Sequence, residues 1–143
     1  MKKIFITLLA VVLLMFMGTV AVADADRQFS EDTSYFGGGL TDSIVTANSS
    51  ISAGSSSVTI SCYTSANEMY DVMLYEMELQ KYVNGQWTRV SIYYDTDYNT
   101  DYIYGSESVS VSEGTYRVHT YHYIQKGSYD DETYTTSQSV TVP

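Results

Sequence analysis

The chain has 143 residues and a formal net charge of −10, from 17 acidic against 7 basic side chains. That excess argues against a nucleic-acid or anionic-membrane partner, since both are bound by clustered Lys and Arg. A single cysteine, Cys62, excludes an intramolecular disulfide, so packing alone must hold the fold.

Lys2 and Lys3 precede an apolar run over residues 4–17, and Ala21-Val22-Ala23 supplies the small residues of a signal-peptidase site. About 14 apolar residues fall short of the roughly 20 that span a bilayer. Residues 1–23 therefore read as a cleaved secretory signal, with no membrane span in the mature chain. Cleavage before Asp24 leaves 120 residues, the size of one domain, with 5 basic residues against 17 acidic ones. Residues 24–48, polar and acidic with Gly37-Gly38-Gly39, read as a flexible leader ahead of a domain over 49–143.

Within that domain a short strand is expected over 49–53, then a turn, then a strand over 57–63 with Val58, Ile60 and Cys62 inward. The alternation makes Cys62 a small buried hydrophobe, with an exposed thiol for intermolecular pairing as the alternative. Residues 64–71 read as a crossing loop. The centre of the chain is 72–94, two alternating halves about Asn84-Gly85, the strongest short hairpin signal. If Val83 faces Gln86, then Met73, Tyr75, Met77 and Leu79 share an inner face with Val90, Ile92 and Tyr94. The outer face then pairs Tyr82 with Trp87, Gln80 with Arg89, Glu78 with Ser91 and Glu76 with Tyr93, as suits a solvated surface. Further strands are expected over 107–112 and 115–124, the latter with Tyr116, Val118 and Ile124 inward, and a last one ends in Val140 and Val142. Short strands spaced by turns, with no helical period, predict an all-β, immunoglobulin-like antiparallel β-sandwich of about seven strands.

Three constellations are candidate sites. Trp87 and Tyr82, with Tyr93 further along, form an exposed aromatic surface of the kind that stacks on sugar rings or anchors protein interfaces, unless they merely stabilise the hairpin. Arg117, His119, Tyr121 and Tyr123 add a mixed patch on what reads as the same sheet. Asp95, Asp97, Asn99 and Asp101 place oxygen ligands at alternate positions, as a calcium loop does, although Thr100 stands where the sharp turn wants Gly. The alternative is a strand whose alternate residues face water; calcium is the one cofactor the pattern leaves open. His122 and Glu132, opposite one another in a hairpin centred on Gly127, read as a structural imidazole–carboxylate pair. No recognised catalytic spacing accompanies them, so the chain reads as a non-enzyme.

Ser57-Val58-Thr59-Ile60-Ser61-Cys62 resembles the second strand of an immunoglobulin domain. The run from Val111 through Gly114 and Tyr116 to Val118 resembles the corner that carries a conserved tyrosine. Leu79-Gln80-Lys81-Tyr82, Gly85-Gln86-Trp87, Gly114-Thr115-Tyr116-Arg117-Val118, His122 and Glu132, in that order, resemble uncharacterised small secreted β-sandwich proteins of Gram-positive bacteria. The resemblance implies secretion and fold and carries no activity. The expected function is a secreted, extracellular binding module for a polysaccharide or a protein, or alternatively a self-associating structural protein.

Overall fold

The computed structural model describes residues 43–143; the signal segment and most of the leader lie outside them. The described residues hold six β-strands and no helix: β1 (Ile44–Ala53), β2 (Ser57–Val83), β3 (Gln86–Ser110), β4 (Gly114–Lys126), β5 (Tyr129–Thr136) and β6 (Val140–Val142). They form one antiparallel sheet curled as a half-barrel.

β2 is its axis. β3 runs beside it along nearly its whole length, while β1 pairs with its first half and β4 with its second. The opposite edge of β4 takes β5 and β6. The larger break in the ladder to β3 falls between Ser65 and Tyr70, where residues 66–69 of β2 face Asp101 alone. Such an excess of residues on one strand bends it, and the long β2–β3 hairpin doubles back on itself there. Residues 64–71 are thus strand and bend within β2 and not a separate loop. The expected strands after the hairpin turn likewise merge into one 25-residue β3. β1 begins at Ile44, inside the stretch read as leader, because the fully buried Ile44 anchors it to the core.

Doubling back brings the inner faces of the two halves together over one core. Ile51, Val58, Ile60, Cys62 and Ile103 come from the first half, and Met73, Met77, Leu79, Tyr116, Val118 and Ile124 from the second. The ring of Tyr75 lies where a Cβ on Gly105 would stand, so glycine is required at that crossing. Tyr116 is buried, and its hydroxyl donates to the Ser112 carbonyl at 2.9 Å, bracing the turn into β4.

The hairpin turn is as the sequence demands: Asn84 and Gly85 have φ of 52° and 89°, and Val83 faces Gln86. Tyr82 faces Trp87 and Gln80 faces Arg89. The register then slips by one residue, so Leu79 faces Ser91, Met77 faces Tyr93 and Tyr75 faces Asp95. A bulge at Val90 absorbs the extra residue and turns the rest of β3 over. Val90, Ile92 and Tyr94 therefore do not join the core. Val90 and Tyr94 are exposed, and Tyr93 packs against the core instead.

Candidate binding face

The outer face of the second half is built by β3, β2, β4 and β5 in that spatial order. Directly opposed residues share a face, so Gln80 between Arg89 and Arg117, and Glu78 between Ile92 and His119, lay out its centre. The mixed patch on β4 and the hairpin aromatics are thereby one surface.

Its centre is not the solvated strip the alternation predicts. Glu78 is 5% and Gln80 7% exposed, because β2 is flanked on both sides and long basic side chains cross over it. Arg89 Nε donates to Glu78 Oε2 at 2.8 Å, and Gln80 Nε2 donates to Glu78 Oε1 at 2.6 Å. Arg117 Nε in turn donates to Gln80 Oε1 at 2.7 Å. The buried carboxylate is satisfied by a cation and an amide, which is what makes its burial tolerable.

The network ends on an aromatic. The Arg117 guanidinium lies 4.3 Å from the centroid of Trp87, and Trp87 meets Tyr82 at 5.1 Å with their planes 55° apart. Trp87 is thus held from one side by a cation that is itself fixed by Gln80. Further rings continue across the face. His119 stacks on Tyr134 at 5.7 Å and 11°, and Tyr121 meets Tyr134 at 5.1 Å and Tyr123 at 6.3 Å. Burial, and next the Arg117 charge, lower the pKa of His119, with Glu78 opposing, so the imidazole is neutral at pH 7. Tyr121 donates to Glu132 Oε2 at 2.5 Å. Period-2 alternation in 115–124 was the signal for this row; Tyr134 on β5 carried no such signal, because β5 is short and mostly polar.

Of the three aromatics expected on the face, Trp87 and Tyr82 are there, and Tyr93 is not. The Val90 bulge sends Tyr93 to the inner side opposite Met77.

His122 and Glu132 are not partners. The turn after β4 contains two residues, Gly127 and Ser128, so His122 faces Thr133 and Tyr123 faces Glu132. The φ of 59° at Gly127 permits that tight turn. His122 is fully buried, its Nδ1 2.7 Å from Thr64 Oγ1 and its Nε2 2.7 Å from Thr135 Oγ1. Thr135 also meets Ser49, which donates to Thr120 Oγ1 at 2.7 Å. Hydroxyls, which donate or accept as needed, thus satisfy both ring nitrogens. Burial, and next the charge of His119, push the His122 pKa down to about 3.

Asp95, Asp97, Asn99 and Asp101 lie along β3, where Asp95 and Asp97 project from the rim opposite Tyr75 and Met73. Asn99 has φ of 52°, next to the bend. Extended backbone spaces alternate residues by roughly 7 Å along the strand, too far apart to wrap one cation without a loop. Among the described residues no group of three His, Cys, Asp or Glu side chains is placed to hold a metal ion. Cys62 is buried, and desolvation pushes its thiol up to about 12, against a smaller lowering by the Gly105 backbone. Among the described residues no helix is long and apolar enough to cross a membrane.

Neither protein-family models, curated proteins nor solved structures give a match to this chain.

Proposed function

We propose that this chain is a secreted, non-catalytic binding module whose ligand seat is the Trp87–Tyr82 platform, and that its ligand is an extracellular polysaccharide. The observation that carries the reading is the fixation of Trp87. An aromatic that only shields a hairpin needs no cation behind it, whereas the half-buried Trp87 ring is held by Arg117, which Gln80 and Glu78 fix in turn before any ligand arrives. A flat ring offers an apolar seat for the C–H face of a sugar, and neighbouring polar groups fix its hydroxyls. Pre-ordering removes part of the entropy cost of binding.

The non-catalytic reading is supported by the burial of His122 and Cys62 in the core, away from the binding face. An immunoglobulin-like architecture is supported by the Tyr116 hydroxyl bonded to a backbone carbonyl four residues upstream. Secretion rests on residues 1–23 and on the resemblance to secreted Gram-positive proteins.

The test is retention of the purified protein on peptidoglycan and a panel of insoluble polysaccharides, with Trp87→Ala beside it. Retention should weaken by about 30-fold or more in the variant, the scale of losing a central aromatic anchor. Equal retention of both proteins refutes the platform. No retention of either, with sedimentation that depends on concentration, favours the alternative of a self-associating protein.

A further inference from the structure

β3 is 25 residues long, and among the described residues it pairs with β2 alone. Its other edge is a row of backbone donors and acceptors. Thr96 shows which residues aim there, since its N–H leaves the ladder and donates to the carboxylate of Asp95 at 2.8 Å. Antiparallel alternation gives the backbones of Ile92, Tyr94 and Tyr98 the same outward direction.

The side chains on either side of this edge differ in kind. Tyr94 and Tyr98, 76% and 68% exposed, lie on the outer face opposite Glu76 and Val72. Asp95 and Asp97 lie on the other face, and both are exposed. From Val90 to Ser110 the strand carries Asp95, Asp97, Asp101 and Glu107 and no Lys, Arg or His.

We infer that the β3 edge around Tyr94, Thr96 and Tyr98 docks an extended cationic peptide segment in which basic residues alternate with aromatic or aliphatic ones. The incoming strand accepts the Thr96 N–H and releases the Asp95 carboxylate to pair with its first cation. Asp97 meets a second cation two residues on, while the intervening side chains pack on Tyr94 and Tyr98. Backbone pairing supplies affinity and the two faces supply selectivity. A second copy of the chain is a poor occupant, because antiparallel pairing about Thr96 sets Asp95 against the copy's Asp97 twice, and like charges opposed across strands repel. The chain's own residues 24–32 are also acidic, with Asp24, Asp26, Glu31 and Asp32 against Arg27.

The test titrates the full chain into a fluorescent alternating Lys-Val octapeptide, its Glu-Val counterpart, and two Lys-Val peptides N-methylated on one or the other set of alternate amides. Anisotropy reads affinity, and amide NMR shifts locate the contact. The Lys-Val peptide should bind and the Glu-Val peptide should not, and one of the two methylated peptides should weaken by about tenfold or more. Thr96→Pro removes an N–H that faces away from β2, a substitution edge strands tolerate, and should weaken binding about as much. The surface pair Asp95→Asn with Asp97→Asn should do the same, while Trp87→Ala should leave peptide binding unchanged. No binding of the Lys-Val peptide overturns the inference and leaves the carboxylates as guards of the edge. So does binding that survives both methylated peptides, or shifts that fall away from β3. A dimer that forms with concentration and shifts β3 amides assigns the edge to a second copy instead.

Discussion

Protonation of His122 should set the acid limit of this fold. The imidazole is fully buried between Thr64 and Thr135, and its pKa falls from an ordinary 6.5 to about 3. The unfolded chain takes up a proton below pH 6.5 that the native state refuses, so stability is complete above that value and declines as pH falls toward about 3. Between pH 7.5 and pH 5 this one group withdraws about 2 kcal/mol, from the ratio of the two titration curves. For a domain of about 100 residues that is a Tm lower by roughly 8 to 16 °C. Other groups titrate in the same range, so the measurement is a comparison. Urea unfolding, read by the fluorescence of the single tryptophan, is run at pH 7.5, 6 and 5 on the natural chain and on His122→Gln. The variant starts less stable, because a glutamine amide cannot reproduce both hydroxyl bonds, yet its pH curve should be flatter by that amount. Parallel curves would refute the reasoning. Should the variant not fold, NMR titration of the natural chain decides: the His122 ring signals should hold their neutral positions down to pH 4.5, and titration near pH 6 would refute it equally.

Two further outcomes follow from the core. Gly105→Ala drives a methyl group into the hydroxyl end of Tyr75, against its Cζ and Oη; the variant should lose about 2 kcal/mol or more in urea unfolding, and Tyr75→Leu in the same chain should recover part of it. A loss no larger than that of an ordinary surface Gly→Ala change would mean the two halves do not press together there. The Cys62 thiol, buried and raised to about 12, should react with a disulfide reagent only as fast as the domain opens, and immediately in denaturant; rapid modification of the native protein would refute its burial.

Much of the architecture was legible in alternation alone. Val58, Ile60, Cys62, Met73, Tyr75, Met77, Leu79, Tyr116, Val118 and Ile124 were assigned inward by period two, and all are buried. Asn84-Gly85 demanded positive φ at both positions and has it, which in turn brought Tyr82 against Trp87. The Tyr116 hydroxyl returns to the backbone just upstream, as the corner sequence implies. These features are local. They follow from the two-sided geometry of a strand and the steric demands of a turn, and neither depends on what lies across the sheet.

Tertiary structure decided the rest, and the reason is parity. A strand has two faces, so one extra residue reverses every assignment beyond it. The bulge at Val90 sent Tyr93 inward and Tyr94 outward, and a two-residue turn in place of one centred on Gly127 moved His122 from Glu132 to Thr133. Alternation carries no mark of where a strand absorbs an extra residue. The core partner of His122 was out of reach for a second reason: Thr64 lies 58 positions away, and the two meet only because β2 bends at 66–69 and closes the long hairpin over itself. The burial of Glu78 and Gln80 has the same origin, since whether a polar strip is wet depends on what crosses over it. Here Arg89 and Arg117 arrive from two different neighbouring strands. Sequence by itself determined which residues alternate and where the chain turns; which face met which partner was settled only when the sheet closed.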